Sequence, residues 1–245
     1  MSQYAFGSGT LFGVRTDITY PTPVQFGAIS DISVEIDFTL KQLYGQSQFP
    51  LAVARSNAKV TGKAKFAKIN GATFNNLFFG QTLAAGQKVT SLNEAGTVPA
   101  STPYTVTVAN ASAFVDDLGV LYQTTGLPLA RVQTVSAAGQ YSVAAGVYSF
   151  YSGDASAGVQ LSYTYTIAGS GTKMTVANQL AGSAPVFKAV LYETFQGKTL
   201  QLELLQCVST KLSFPTKQED YVTSELDFSA FADGFGNVMN LSFAE

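Results

Sequence analysis

Four kinds of side chain in this sequence carry enough chemistry to be weighed as a site: adjacent carboxylates, one thiol, a run of cations and several glycine strings. The carboxylates stand side by side at Asp116-Asp117 and at Glu219-Asp220. A glycosidase pair or a calcium site needs two acids converging on one point. Neighbours in an extended chain point to opposite sides, and both pairs sit beside turn-forming residues, so they read as solvated loop charges. Asp154, in SGDASAG, reads as a turn former. The chain contains no histidine, which removes the commonest general base, the Ser-His-Asp and Cys-His triads and the commonest ligand of zinc, copper and iron. Cys207 is the single cysteine, so an intramolecular disulfide and a CxxC ligand pair are both excluded. Its setting, LLQCVS, reads as buried core. FGSGTLFG and AGSGT lack the lysine of a phosphate-binding loop and join no strand to a helix, so they read as turns. Arg55, Lys59, Lys63, Lys65 and Lys68 form a cationic run unbroken by acid. It could grip phosphate, but a salt-paired strand face is the favoured reading. No cofactor, metal or catalysis is expected from this inventory.

The elements that must position these residues are strands. Ile32, Val34, Ile36, Phe38 and Leu40 alternate with Ser33, Glu35, Asp37, Thr39 and Lys41, a period of two that predicts a half-buried strand. Residues 59–66 put Val60, Gly62, Ala64 and Phe66 on one side and Lys59, Thr61, Lys63 and Lys65 on the other. If the two strands are antiparallel neighbours, Glu35 and Asp37 lie opposite Lys63 and Lys65, each pair worth roughly 0.2–1 kcal/mol. Two unrelated solvated faces are the alternative. Residues 42–58 read as a long connection containing a short strand, FPLAVAR. One short helix follows, with Asn70 as N-cap, Phe74, Leu77 and Phe78 at helical spacing, and Gly80 closing it against a sheet. Residues 86–180 turn richer in Thr, Ser, Ala and Gly, with strands expected in YTVTVANAS, GQYSVAAGVYSF and GVQLSYTYTI. They read as a β-rich insertion into a core built from residues 1–85 and 181–245. In the last part, residues 186–194 and 199–208 flank FQGK as a hairpin, residues 221–228 alternate with Glu225 and Asp227 on the polar side, and VMNLSF ends the chain's strands.

Composition narrows the function classes. Charged residues are only 12% of the chain against 46% hydrophobic, so a polar surface must come largely from uncharged side chains. Charges are the usual means of keeping sheet edges apart, so self-association is expected. The formal charge of −2 argues against non-specific nucleic-acid binding as the main task. The first residues show no basic and apolar signal-peptide pattern, and no apolar stretch is long enough for a membrane helix. No membrane anchor is expected.

Three stretches, residues 29–81 (ISDISVEIDFTLK through NNLFFGQ), 146–166 (GVYSFYSGDASAGVQLSYTYT) and 195–238 (FQGKTLQLELLQCVSTKLSF through DGFGNV), resemble the tail tube proteins of long-tailed bacteriophages and prophages. The resemblance spans most of the chain and rests on the order of strand and turn patterns. It implies an all-β, β-sandwich or barrel-like tail-tube fold with one flanking helix, and a structural rather than enzymatic role in the virion. Subunits would form hexameric rings, made and assembled in the bacterial host cytoplasm and stacked into a hollow tube through which the genome passes. Its partners would be copies of itself together with tape measure, terminator and initiator proteins, with DNA passing unbound. Glu35, Asp37, Glu225 and Asp227 are the acids expected to line the lumen, with Lys63 and Lys65 as cross-strand partners. Tyr44, Gln46, Gln48, Phe49 and Arg55 are the expected ring-stacking contacts. The competing readings are a head-decoration or tail-terminator protein, and a carbohydrate-binding module using the tyrosines of YSFYSG and SYTYT as platforms.

Overall fold

The structure, a computed structural model, describes residues 7, 9–68, 71–216, 218 and 221–244. The chain is all-β and divides into two compact units, Met1–Thr82 with Met174–Glu245, and Leu83–Lys173. In chain order the strands are β1 (Thr10–Arg15), β2 (Val24–Gln25), β3 (Ile29–Tyr44) and β4 (Pro50–Phe66). A short helix follows, then β5 (Ala84–Thr97), β6 (Thr105–Thr107), β7 (Phe114–Tyr122), β8 (Ala130–Arg131), β9 (Gln140–Ala144), β10 (Val147–Phe150) and β11 (Gly158–Lys173). The last four are β12 (Val186–Phe195), β13 (Lys198–Ser213), β14 (Ser224–Phe231) and β15 (Met239–Phe243). Among the described residues no helix is long and apolar enough to cross a membrane.

The first unit is one antiparallel sheet in the order β2-β1-β12-β13-β14-β4-β3, with β15 added to β13. Leu11 of β1 and Ile32 and Val34 of β3 belong to opposite ends of that order. Yet they line the same apolar gap with Leu191, Leu204 and Phe228, so the sheet is rolled around its core. The roll buries Phe66, Phe187, Leu204, Cys207, Leu226 and Phe228. Burial pushes the Cys207 thiol up to about 12, which leaves it an inert core residue. The FQGK hairpin closes through Gln196 and Gly197, both at positive φ (50° and 77°), the left-handed pair that a two-residue turn requires.

The helix is α1 (Gly71–Phe74), continued by a single wider π turn, Asn75–Phe79. Gly80 ends it at φ 59°, its N–H donating to the Asn75 carbonyl at 2.6 Å. Leu77 is buried against Gly13 of β1, where a Cβ would come within 2.9 Å of a Leu77 methyl, and Ser209 of β13 donates to the Leu77 carbonyl at 2.8 Å. The expected N-cap, Asn70, lies outside the described residues, as does the Glu219-Asp220 pair.

The second unit is a sandwich of a three-stranded sheet, β5-β11-β7, on a four-stranded one, β6-β10-β9-β8. Val120, Val159, Leu161 and Tyr163 from one sheet meet Tyr141, Tyr148 and Phe150 from the other. The chain enters on β5 and leaves on β11, and these ends are paired, Ala84 opposite Lys173. Asp116-Asp117 is not a loop pair, because both lie in β7. A bulge opposite Ser162 and Tyr163, at Gly119 (φ 115°), turns Leu118 outward and Asp117 inward. The Asp117 side chain is 3% exposed. It accepts hydrogen bonds from the hydroxyls of Tyr141 (2.7 Å) and Tyr148 (2.8 Å) and from the Gly119 N–H, with Arg131 3.6 Å away. Asp154 does sit in a turn, but a buried one, where it accepts from the Tyr122 hydroxyl (2.5 Å) and the Gly139 N–H. Burial and that bond push the Tyr122 hydroxyl up to about 12. Tyr163 completes the pattern by donating to Glu94 at 2.6 Å.

The tyrosines of YSFYSG and SYTYT therefore serve mostly as core. Tyr148 and Tyr163 are fully buried and Tyr165 is partly so, which leaves Tyr151 as the exposed ring of these segments and removes the aromatic platform.

Three substitutions test this packing. A Cβ at Gly62 would stand 2.1 Å from the Phe228 ring, so Gly62→Ala is expected to destabilise the first unit by about 2–3 kcal/mol in urea unfolding followed by circular dichroism. Asp117→Ala strands two buried hydroxyls and is expected to cost the second unit about 3 kcal/mol, while Leu118→Ala costs well under 1 kcal/mol.

Candidate assembly surface

The polar face of the first unit is built by four adjacent strands, β3, β4, β14 and β13. Lys63 and Lys65 alternate with the buried Ala64 and Phe66, so both lysines point away from the core. The register places Asp31, Lys65, Glu225 and Ser213 in one row across the strands, and Ser33, Lys63, Asp227 and Lys211 in the next. Beyond them Glu35 faces Thr61, and Asp37 faces Lys59. The expected pairing of Glu35 and Asp37 with Lys63 and Lys65 does not occur. β3 sits further along β4 than that register requires, and the two lysines instead meet Glu225 of β14 and Asp31 of β3. Lys63 is ion-paired with Glu225 on the diagonal, Lys65 lies 3.9 Å from Asp31, and Lys211 lies 3.9 Å from Asp227.

The face thus alternates acid and base from strand to strand. Asp31, Glu35, Asp37, Glu225 and Asp227 are set against Lys59, Lys63, Lys65 and Lys211, which leaves it close to neutral. Hydrogen bonding and charge from Glu225 hold the Lys63 ammonium above its ordinary value, and Lys63 holds the Glu225 carboxyl below the usual carboxylate range. The cationic run is accordingly a salt-paired strand face at Lys63 and Lys65. Arg55 stands apart, its guanidinium 4.4 Å from the Phe38 ring centroid.

Residues 42–58 are not a connection carrying a separate strand. β3 and β4 continue through them as one long hairpin, paired as far as Tyr44 and Pro50, so only residues 45–49 turn. At about 3.3 Å per residue, the ribbon from Ile36 to Tyr44 reaches roughly 25 Å. Ile36, Phe38 and Leu40 continue the row that begins with core-facing Ile32 and Val34, but they stay exposed, with the Arg55 guanidinium on the Phe38 ring. They are exposed, together with Leu43, Tyr44, Phe49, Leu51 and Val53. The half-buried strand predicted over 32–41 is therefore half-buried only to Val34. Among the described residues β3 pairs with β4 alone, which leaves its outer edge open along an apolar arm.

No family model matches the chain, and a search of curated proteins finds no match either.

The structure thus brings Lys63, Lys65, Glu225 and Asp227 together on one face, sets Glu35 and Asp37 further along the same face, and places Tyr44, Gln46, Gln48 and Phe49 at the arm tip, with Arg55 midway along the arm opposite Leu40. Asp31 and Lys211 complete the ladder and were not anticipated. Among the described residues no cluster of three metal-ligating side chains occurs.

The ladder predicts a pH dependence. A carboxyl held down in the folded state stabilises above its ordinary value, about 4.5, and that contribution fades as pH falls through the lower folded value. Wild type is expected to be more stable than Glu225→Gln at pH 7, with the gap shrinking as pH is lowered below the ordinary carboxylate value and narrowed by high salt, measured by urea midpoints.

Proposed function

We propose that this chain is a tail tube protein of a long-tailed bacteriophage or prophage: a structural subunit that associates with copies of itself into stacked rings enclosing a channel. The observation that carries the reading is the arm, a two-stranded ribbon with eight large apolar side chains left uncovered and an open strand edge beside them. Exposed apolar area on this scale marks a surface that is covered in the working state, and an open edge is the simplest template for another strand. Edge joining of first units would continue one sheet from subunit to subunit, with the arm reaching the next ring. The order of strand and turn patterns in residues 29–81, 146–166 and 195–238 supports the same reading.

In this role the four-strand face is the proposed channel lining. DNA sliding requires that phosphate find no uncompensated cation, because lysines neutralising phosphate gain affinity through counterion release. Here Lys63 and Lys65 are engaged by Glu225 and Asp31, so a near-neutral alternating ladder would serve as that lining. The virion tail is the proposed location, with tape measure, terminator and initiator proteins as further partners.

Negative-stain electron microscopy of the purified chain tests the proposal. Long hollow tubes are expected, and a chain that stays monomeric at every concentration would overturn it. Removing residues 46–56, the turn and the outer part of β4, is expected to leave a subunit that still unfolds cooperatively in urea but forms no tubes; tubes of normal length from that variant would remove the arm from stacking.

A further inference from the structure

The open edge of β3 is complementary to itself. Residues 38–58 contain no acid, so Lys41, which faces Ala54 across the hairpin, has no partner of opposite charge in the arm. Glu35 likewise faces an uncharged residue, Thr61, whereas Asp37 already faces Lys59. Laying the same strand of a second copy antiparallel along this edge, centred on Phe38, sets Glu35 opposite Lys41 on both sides of the centre. On the apolar face that register sets Ile36 opposite Leu40 and Phe38 opposite its own copy, so these three exposed side chains cover one another. β3 keeps its alternation here, because the extra residue of the bulge between Phe38 and Leu40 falls in β4. Neighbouring registers fit less well. Centring on Thr39 leaves Ile36 against Gln42, and centring on Asp37 sets that acid against itself.

We propose that in dilute solution two copies of this chain join through β3, antiparallel about Phe38, into a twofold dimer that caps the open edge. The contact is isologous, each copy giving Glu35 and receiving Lys41, so it closes and does not propagate. The opposite edge of the sheet is a poorer occupant: β2 is Val24-Gln25 and has no charge to set against Glu35 or Lys41. The proposal goes beyond the tube reading, because a strand edge can be paired only once. The dimer is a resting form that must part before the same edge enters a ring. Its seam, residues 35–41 of each copy, is small beside the roughly 20–30 residues a side of a stable complex, so it dissociates on dilution. High salt screens its two charge pairs and weakens it further.

Cross-linking of the full-length chain, below the concentration at which tubes grow, tests the pairing and its register. Asp37→Cys is placed on one batch and Thr39→Cys on another of different tag mass, because the register sets these two positions directly opposite each other, within disulfide reach. Cys207, fully buried, stays silent. After mixing and mild oxidation, disulfide dimers are expected between the two batches and not within either; dimers within the Thr39→Cys batch alone would overturn the register. Lys41→Glu is expected to weaken the dimer at least tenfold in sedimentation velocity with an unchanged melting curve, and Glu35→Lys added to it is expected to restore the dimer. A Lys41→Glu chain that dimerises like wild type, or a double variant no tighter than the single one, overturns the proposal. Without mixed dimers the pairing is wrong, and the tube reading stands if the chain still grows tubes; mixed dimers from a chain that never grows tubes do the reverse.

Discussion

The first unit depends on a contact that one glycine makes possible. The Phe228 ring of β14 lies on the backbone of Gly62 in β4, closer than any Cβ would allow. A strand of period-two pattern fits its neighbour equally well at every even slip, so alternation alone cannot choose a register. Seating the Phe228 ring over Gly62 does choose one. It places Lys63 opposite Asp227 and Lys65 opposite Glu225, and the same strand then carries β3 with Asp31 beside Lys65. Exposed ion pairs of this kind contribute little individually; their arrangement follows from the buried contact beneath them.

What was legible in the sequence follows the same division. Alternation in residues 32–41, 59–66 and 221–228 identified strands and their polar sides, because period two is a property of one strand by itself. The Gln196-Gly197 turn was legible because its backbone demands particular residues. The register was not, since it was decided by a glycine and a phenylalanine far apart in the chain. Nor was the reach of the arm: QLYGQSQFP contains a proline and small polar residues, the marks of a loop, yet the paired strands enter it from both sides, as far as Tyr44 and Pro50.

β7 shows a different failure. Its bulges break the alternation, so FVDDLGVLY presents no clean face, and a carboxylate takes the inward position that Leu118 would hold in a regular strand. The signal available was the run of tyrosines elsewhere in the second unit, Tyr141, Tyr148 and Tyr163 among them, since buried hydroxyls need acceptors. Asp117, Asp154 and Glu94 are those acceptors, and in a chain so poor in charge three of its acids serve the interior of the second unit.

The paired ends of the second unit bear on how the chain reaches its native state. Phe66 and Ser224, partners across β4 and β14, are roughly 160 residues apart, and closing so large a loop is slow and entropically costly. Once β5 and β11 zip together at Ala84 and Lys173, the excursion between them drops out, and the loop left to close is about 70 residues, a saving of about 0.7 kcal/mol. During synthesis the insertion emerges before β14 exists. A segment that interrupts the sheet in sequence thus acts as a splint, holding β4 close to strands that the ribosome has yet to deliver.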